Sequence, residues 1–256
     1  MNFDLEINEH RCIVTLKDTS GTNLITEEFC GLLEESVNNH KWDPNIRVWV
    51  IKSATAGIFA TQRQTILGNH DLTLHQLHEK LEKLQVSRII KHIPVPVVVI
   101  IDGEVSDHGL EFMLAADVKI SSDISSFSIS VTNTNFPWDN GIPELINNVG
   151  RTIAADMLYT GRTLTASEAL RVGLLTTVTT KQELANASEH LLSQLTSMSP
   201  NSMKFIKESI TAGISLPLSH GLGLEGDLSV LLQSTADRME GLRSFFNKQT
   251  PNFSGQ

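Results

Sequence analysis

The hydrophobic positions of this chain follow two rhythms, and the change from one to the other divides it. From Phe3 to Leu16 apolar and polar residues alternate well enough for strands, and Ser20-Gly21-Thr22 reads as a turn. Thr26 then stands as an N-cap before a helix from Glu27 to about Asn38, with Glu27 and Glu28 at the end where the helix dipole favours anions. Val48 to Lys52 is a short β-branched strand, and a loop containing Gly57 leads into a helix-rich stretch from His75 to His92. Val95 to Ile101 (VPVVVII) is an almost unbroken branched run, as expected of a central strand covered on both faces. Asp102-Gly103 ends it, Gly109 to Ala116 has helical spacing, and Val118 to Ile120 and Ser126 to Ile129 are two further short strands. Branched strands alternating with helices predict parallel βαβ units.

From Gly150 onward the rhythm is helical, over Thr152–Leu158, Thr165–Arg171, Lys181–Met198, Asn201–Ala212 and Leu218–Gln249. The expected organisation is an α/β core over 1–195 followed by a helical C-terminal lobe over 196–256. With 256 residues, 40% of them hydrophobic and 19% charged, the chain can bury a sizeable core and is neither disordered nor fibrous. A net charge of −9 with no long Lys/Arg run excludes a nucleic-acid partner, since nothing here neutralises a phosphate backbone. The apolar run Ile93–Ile101 is too short to span a bilayer, and Met1 to Leu5 lacks a basic secretory n-region. The expectation is therefore no membrane and a cytoplasmic protein. Cys12 and Cys30 match neither a disulfide framework nor a metal motif and read as small buried hydrophobes.

Four segments, taken together and in order, resemble the crotonase superfamily of enoyl-CoA hydratases and isomerases. Ile93 to Asp117 (IPVPVVVIIDGEVSDHGLEFMLAAD) resembles its strand, glycine-rich turn and helix ending in small-small-Asp, and Val118 to Phe127 its next strand and loop. Leu158 to Val178 (LYTGRTLTASEALRVGLLTTV) resembles its TG…AxEAxxxGLV segment, and Phe245 to Gly255 its C-terminal tail. The resemblance covers the whole chain. It implies a ββα superhelix, stacked turns of parallel strands with flanking helices, assembled through the C-terminal lobe as a homotrimer or dimer of trimers. It also implies a CoA thioester substrate, no separate cofactor, and two backbone N–H groups that stabilise an enolate-like oxyanion.

The family pattern places one oxyanion donor in the stretch Phe59-Ala60-Thr61-Gln62-Arg63-Gln64, on Arg63. Gln62 stands where the family carries glycine, which alters the loop's conformational freedom without removing the N–H. The second donor falls on His108, in the turn Ser106-Asp107-His108-Gly109. Beside a helix N-terminus, which disfavours imidazolium, an uncharged His108 could also serve as a base on water. Glu111 matches the first of the two carboxylates that hydratases use. The second falls on Val131, which transfers no proton and so weakens simple syn hydration. Asp139, in Phe136-Pro137-Trp138-Asp139-Asn140-Gly141, is a candidate replacement acid, base or nucleophile, or else a turn residue capping the next helix.

Phe59, Val131 and Trp138 are expected to line the substrate site, and Lys248 in the tail to lie over the CoA adenine. Asp107 and Glu104 flank His108 and could orient it, while Glu144 reads as a solvated first-turn residue. His70, His75 and His78 fit no metal spacing and read as a polar helix face, so no metal is expected. Gly221-x-Gly223 follows no strand and carries no dinucleotide signal. Three functions remain open. One is an enoyl-CoA hydratase or isomerase using Glu111 and Asp139. Another is a CoA-independent β-diketone carbon–carbon bond hydrolase using His108 and Asp139, and the last a non-catalytic scaffold.

Overall fold

A computed structural model describes residues 2–18, 21–61, 73–129, 139–213 and 215–256. The strands β1 (Asn2–Asn8) and β2 (Arg11–Lys17) form an antiparallel hairpin. Helix α1 (Glu27–His40) starts at Thr26, whose hydroxyl oxygen accepts the Phe29 N–H at 3.1 Å, and it buries Phe29, Cys30, Leu33 and Val37 as one helical stripe. Strands β3 (Val48–Ser53) and β4 (Gly57–Ala60) follow, then α2 (Leu74–Glu82), α3 (Val86–Lys91), β5 (Val97–Ile101), β6 (Gly103–Ser106) and α4 (His108–Leu114). After them come β7 (Val118–Ser122), β8 (Ser126–Ser128), α5 (Gly141–Thr160), β9 (Leu164–Thr165), α6 (Ala166–Arg171) and β10 (Thr177–Thr179). The C-terminal part is helical: α7 (Leu184–Thr196), α8 (Pro200–Gly213), α9 (Leu218–Gln233) and α10 (Ala236–Asn247).

The described strands form two sheets. One runs β1-β2-β3-β5-β7-β10, parallel from β2 onward, and the other β4-β6-β8-β9. The chain steps from the first sheet to the second three times, β3 to β4, β5 to β6 and β7 to β8, so each turn of the superhelix contributes one strand to each sheet. At the first two of these steps Gly57 pairs with Gly103, and a Cβ on Gly103 would fall on the Gly57 backbone. The unbroken run in β5 is explained by burial on both faces. Val97, Val99 and Ile101 pack into the main core with Trp49, Ile51 and Phe112, whereas Val98 packs on the opposite side with Val48, Val50, Ile120 and Leu192 of α7.

Where structure and sequence pattern differ, long-range pairing or a cap decides. β4, β6, β9 and β10 are at most four residues long, too short for a period to register, and exist through their partners. The stretch from His75 to His92 is two helices. Leu218–Gln249 breaks at Ser234-Thr235, where the Thr235 hydroxyl oxygen accepts the Arg238 N–H at 3.3 Å and starts α10 afresh. Helix α5 begins at Gly141, earlier than the pattern suggests, and bends at Gly150, whose φ of 77° lies outside the helical range. Both cysteines are buried and free, and burial pushes each thiol up to about 12.

Two motif residues acquire a physical role. Asp117 closes the strand β5 against β7: its carboxylate accepts the Val97 N–H at 2.7 Å and pairs with Lys207 Nζ of α8, also at 2.7 Å. Lys207 is buried, which pushes its ammonium below the usual lysine range against the pull of Asp117, and it also donates to the Val95 carbonyl at 3.0 Å. Removing one partner of such a pair leaves a charge stranded out of water. Asp117→Ala is therefore expected to cost about 3 kcal/mol of folding stability, measured by urea denaturation.

Glu168 closes a capping box with Thr165 at the start of α6 and pairs with Arg162 at 2.7 Å. The Thr165 N–H, then Arg162 and the Thr165 hydroxyl, hold its carboxyl down to about 2 from an ordinary 4.5. A carboxyl depressed by folding adds stability above its unfolded value and loses it as pH falls toward the folded one. The denaturation midpoint of the wild type should thus fall more steeply than that of Glu168→Gln between pH 4.5 and about 2.

Candidate active site

The site is assembled where β6 hands over to α4. Asp107 bridges them with φ 51° and ψ −118°, a conformation uncommon outside glycine, donating its N–H to the Ser128 carbonyl of β8 at 3.1 Å. His108 is the first residue of α4. Next to it the Gly109 N–H donates to the Thr61 carbonyl at 2.6 Å, and a Cβ on Gly109 would collide with the Ala60 carbonyl. Only glycine lets the start of α4 lie this close to the end of β4, and this contact brings the two segments expected to donate to an oxyanion together. The His108 N–H makes no hydrogen bond among the described residues.

All seven residues of α4 are buried. His108 is 6% exposed and Glu111, one helical turn on, 2%. The His108 imidazole meets the Glu111 carboxylate in a close hydrogen bond, Nδ1 to Oε2. The other carboxylate oxygen, Oε1, accepts the backbone N–H of Asp139 at 3.0 Å. Gly141 lies over the same oxygen, where an added Cβ would stand 2.5 Å from Oε1 and 2.6 Å from Cγ. Two turns brought together by the fold thus enclose one carboxylate.

Asp139 takes part in a way the sequence does not disclose. Its backbone serves Glu111, while its carboxylate serves α3: Oδ2 accepts the Ser87 N–H at 2.8 Å and Oδ1 the Ser87 hydroxyl at 2.5 Å. It is 8% exposed and satisfies the first turn of a helix whose own N-cap position, Gln85, makes no side-chain cap. Ser87 is the residue that sequence reasoning missed. A serine inside the first turn of a six-residue helix carries no signal of a partner fifty-two positions away.

The carboxylate that takes the imidazole is Glu111, not Asp107 or Glu104. Glu144 pairs with Lys91 and accepts from Asn140 Nδ2 at 3.0 Å, so it ties α5 to α3 rather than lying free in solvent. Phe59 is wholly buried with its ring 5.8 Å from that of Phe112, which places it in the core behind the site. Lys248 ends α10 in a left-handed conformation, φ 54°, on the surface. His75 and His78 lie on the exposed face of α2, 3.5 and 3.2 Å from Glu79 and Glu82. Arg63, Val131, Trp138 and His70 lie outside the described residues, as does Gln62. Among the described residues no group of three or more His, Cys, Asp or Glu is placed to hold a metal ion.

Residues 6–256 match the family model described as enoyl-CoA hydratase/isomerase. The chain is 29% identical over 259 residues to the (E)-benzylidenesuccinyl-CoA hydratase of Thauera aromatica, covering 100% of both chains. It is 27% identical over 261 residues to the mitochondrial methylglutaconyl-CoA hydratase of Mus musculus, covering 97% of this chain and 81% of the relative. The fold is that of solved enoyl-CoA hydratases: the Bacillus anthracis enzyme superposes with a TM-score of 0.91 at 23% identity, over 100% of both chains. DspI of Pseudomonas aeruginosa superposes at 0.90 and 20% identity, over 98% of this chain and 96% of its own.

The packing of Gly141 on Glu111 gives a direct check on this geometry. Gly141→Ala should force the carboxylate from its place or lose about 1–3 kcal/mol of stability to overpacking, read by thermal unfolding of the variant.

Proposed function

We infer, from the premise that this chain belongs to the enoyl-CoA hydratase/isomerase family, that it is an enzyme acting on the double bond of an enoyl-CoA thioester. The observation that carries this reading is the His108 N–H, without a hydrogen bond among the described residues, next to the enclosed carboxylate of Glu111. Thioester enolate formation needs a donor for the developing oxyanion and an acid–base group beside it. His108 supplies the first with its backbone, Arg63 is the proposed second donor, and proton transfer depends on Glu111. Binding of substrate there takes the carbonyl oxygen to the His108 N–H, and the enolate charge then develops against that donor. Val131 and Trp138 are proposed to line the acyl site, and Lys248 to lie over the CoA adenine.

Asp139 enters this scheme as the backbone donor that fixes Glu111, with its carboxylate committed to Ser87. That commitment favours the thioester reading over β-diketone hydrolysis, which needs the Asp139 carboxylate near His108. The bond between the two most enclosed polar groups of α4 favours an enzyme over a scaffold, because burying both side chains serves no packing need an apolar pair would not meet better. A homotrimer or dimer of trimers fits the apolar residues left bare on α9 and α10, among them Leu218, Val230, Phe245 and Phe246. Among the described residues no helix is long and apolar enough to cross a membrane.

Isothermal titration with a medium-chain acyl-CoA should give one site per chain. Turnover of the matching 2-enoyl-CoA should fall by about 10²–10⁴ in kcat for Glu111→Gln while acyl-CoA binding persists. Absence of acyl-CoA binding, or full turnover by Glu111→Gln, would overturn the reading.

A further inference from the structure

Glu111 is poorly placed to touch a substrate itself. It is 2% exposed, its Oε1 is taken by the Asp139 N–H and covered by Gly141, and its Oε2 by the His108 imidazole. The imidazole is bonded through Nδ1, and its far nitrogen, Nε2, makes no hydrogen bond among the described residues. An imidazole held by a carboxylate at one nitrogen presents the other as a base, because the carboxylate keeps the proton on the near side and stabilises the imidazolium when a second proton arrives.

We propose that His108 Nε2 is the atom that exchanges protons with the substrate, and that Glu111 is a positioning residue acting through it. The inference deepens the thioester reading and rests on it for the identity of the substrate. In the forward step Nε2 takes a proton from the substrate carbon, or from the water that adds to the double bond. The electron pair moves onto the thioester oxygen held by the His108 N–H. In the second step the enolate collapses and the same proton returns from Nε2 to carbon, so no other reactant is required. One residue thus carries both the oxyanion donor, in its backbone, and the base, in its side chain. The two functions share one residue, and the bond from Glu111 holds the imidazole in the orientation that sets the distance between them.

The arrangement has a signature that needs no substrate. In nitrogen-15 spectra of histidine-labelled protein at neutral to alkaline pH, the resonance that disappears in His108→Gln should show a protonated Nδ1 and a bare Nε2, the rarer neutral tautomer. Glu111→Gln, which cannot accept in the same way at both oxygens, should shift that signal toward the commoner tautomer. A wild-type His108 protonated on Nε2 and bare on Nδ1 would overturn the proposal whatever the enzyme acts on.

Turnover supplies the second arm. His108→Gln should lose about 10²-fold or more in kcat with acyl-CoA affinity changed by less than about threefold. The double variant with Glu111→Gln should be no slower than the worse single one, since groups acting as a unit are not additive. Wild-type rates in His108→Gln alongside a dead Glu111→Gln would return the proton to Glu111. Failure of the wild type to bind any acyl-CoA would instead sink the thioester reading, leaving the tautomer to decide whether the pair exists.

Discussion

A carboxylate withdrawn from water must recover its lost hydration from the protein, and the centre of this molecule is organised around that demand at Glu111. One oxygen is met by a backbone N–H of the turn before α5, the other by an imidazole on its own helix. The imidazole is local, at the start of α4 itself, but the N–H comes from Asp139, 28 residues further along the chain. The turn at 139–141 must come back over α4, Gly141 must lack a side chain, and Asp107 must hold its left-handed bend for His108 to begin the helix at the right place. The stacked strands are the device that makes these distant requirements compatible.

Much of this was legible in the chain. The branched run at Val95–Ile101, the cap at Thr26 and the helical rhythm after Gly150 each report a local preference that the fold keeps. The family resemblance singled out Glu111 and His108 as the positions matching its turn and helix motif. The hydrogen bond between them lay one step further: residues three apart on a helix share a face, but only burial makes the encounter obligatory. Short strands such as β4 and β6 were not legible, since four residues carry no period and take their conformation from the partner. Asp139 was legible as a residue worth attention, but neither the direction of its carboxylate nor the existence of Ser87 as its partner is encoded nearby.

The same need for compensated burial recurs away from the site and holds the C-terminal part of the chain in place. Lys207 brings α8 to Asp117 at the foot of the central strands. Asp237, 1% exposed, collects the Ser199 hydroxyl and the N–H groups of Ser254 and Gly255, which folds the tail back onto α10. Arg47, at the entrance to β3, donates to the carbonyls of both Thr196 and Phe253. Arg47 and Asp237 thereby satisfy backbone carbonyls and N–H groups at the end of α7 and in the tail. The tail is therefore fixed by polar contacts, and the apolar residues of α9 and α10 remain on the outside.

The link between Ser87 and Asp139 has a consequence for how such a protein can evolve. Position 139 faces two masters, a helix start through its side chain and Glu111 through its main chain, so exchanging its side chain disturbs α3 without directly removing the donor that Glu111 uses. Drift at Ser87 is transmitted in the reverse direction, into the turn that seals the carboxylate. The two sites are bound epistatically, and neither can be read as neutral from its own surroundings. Descendants that changed one would carry the memory of that change in the other.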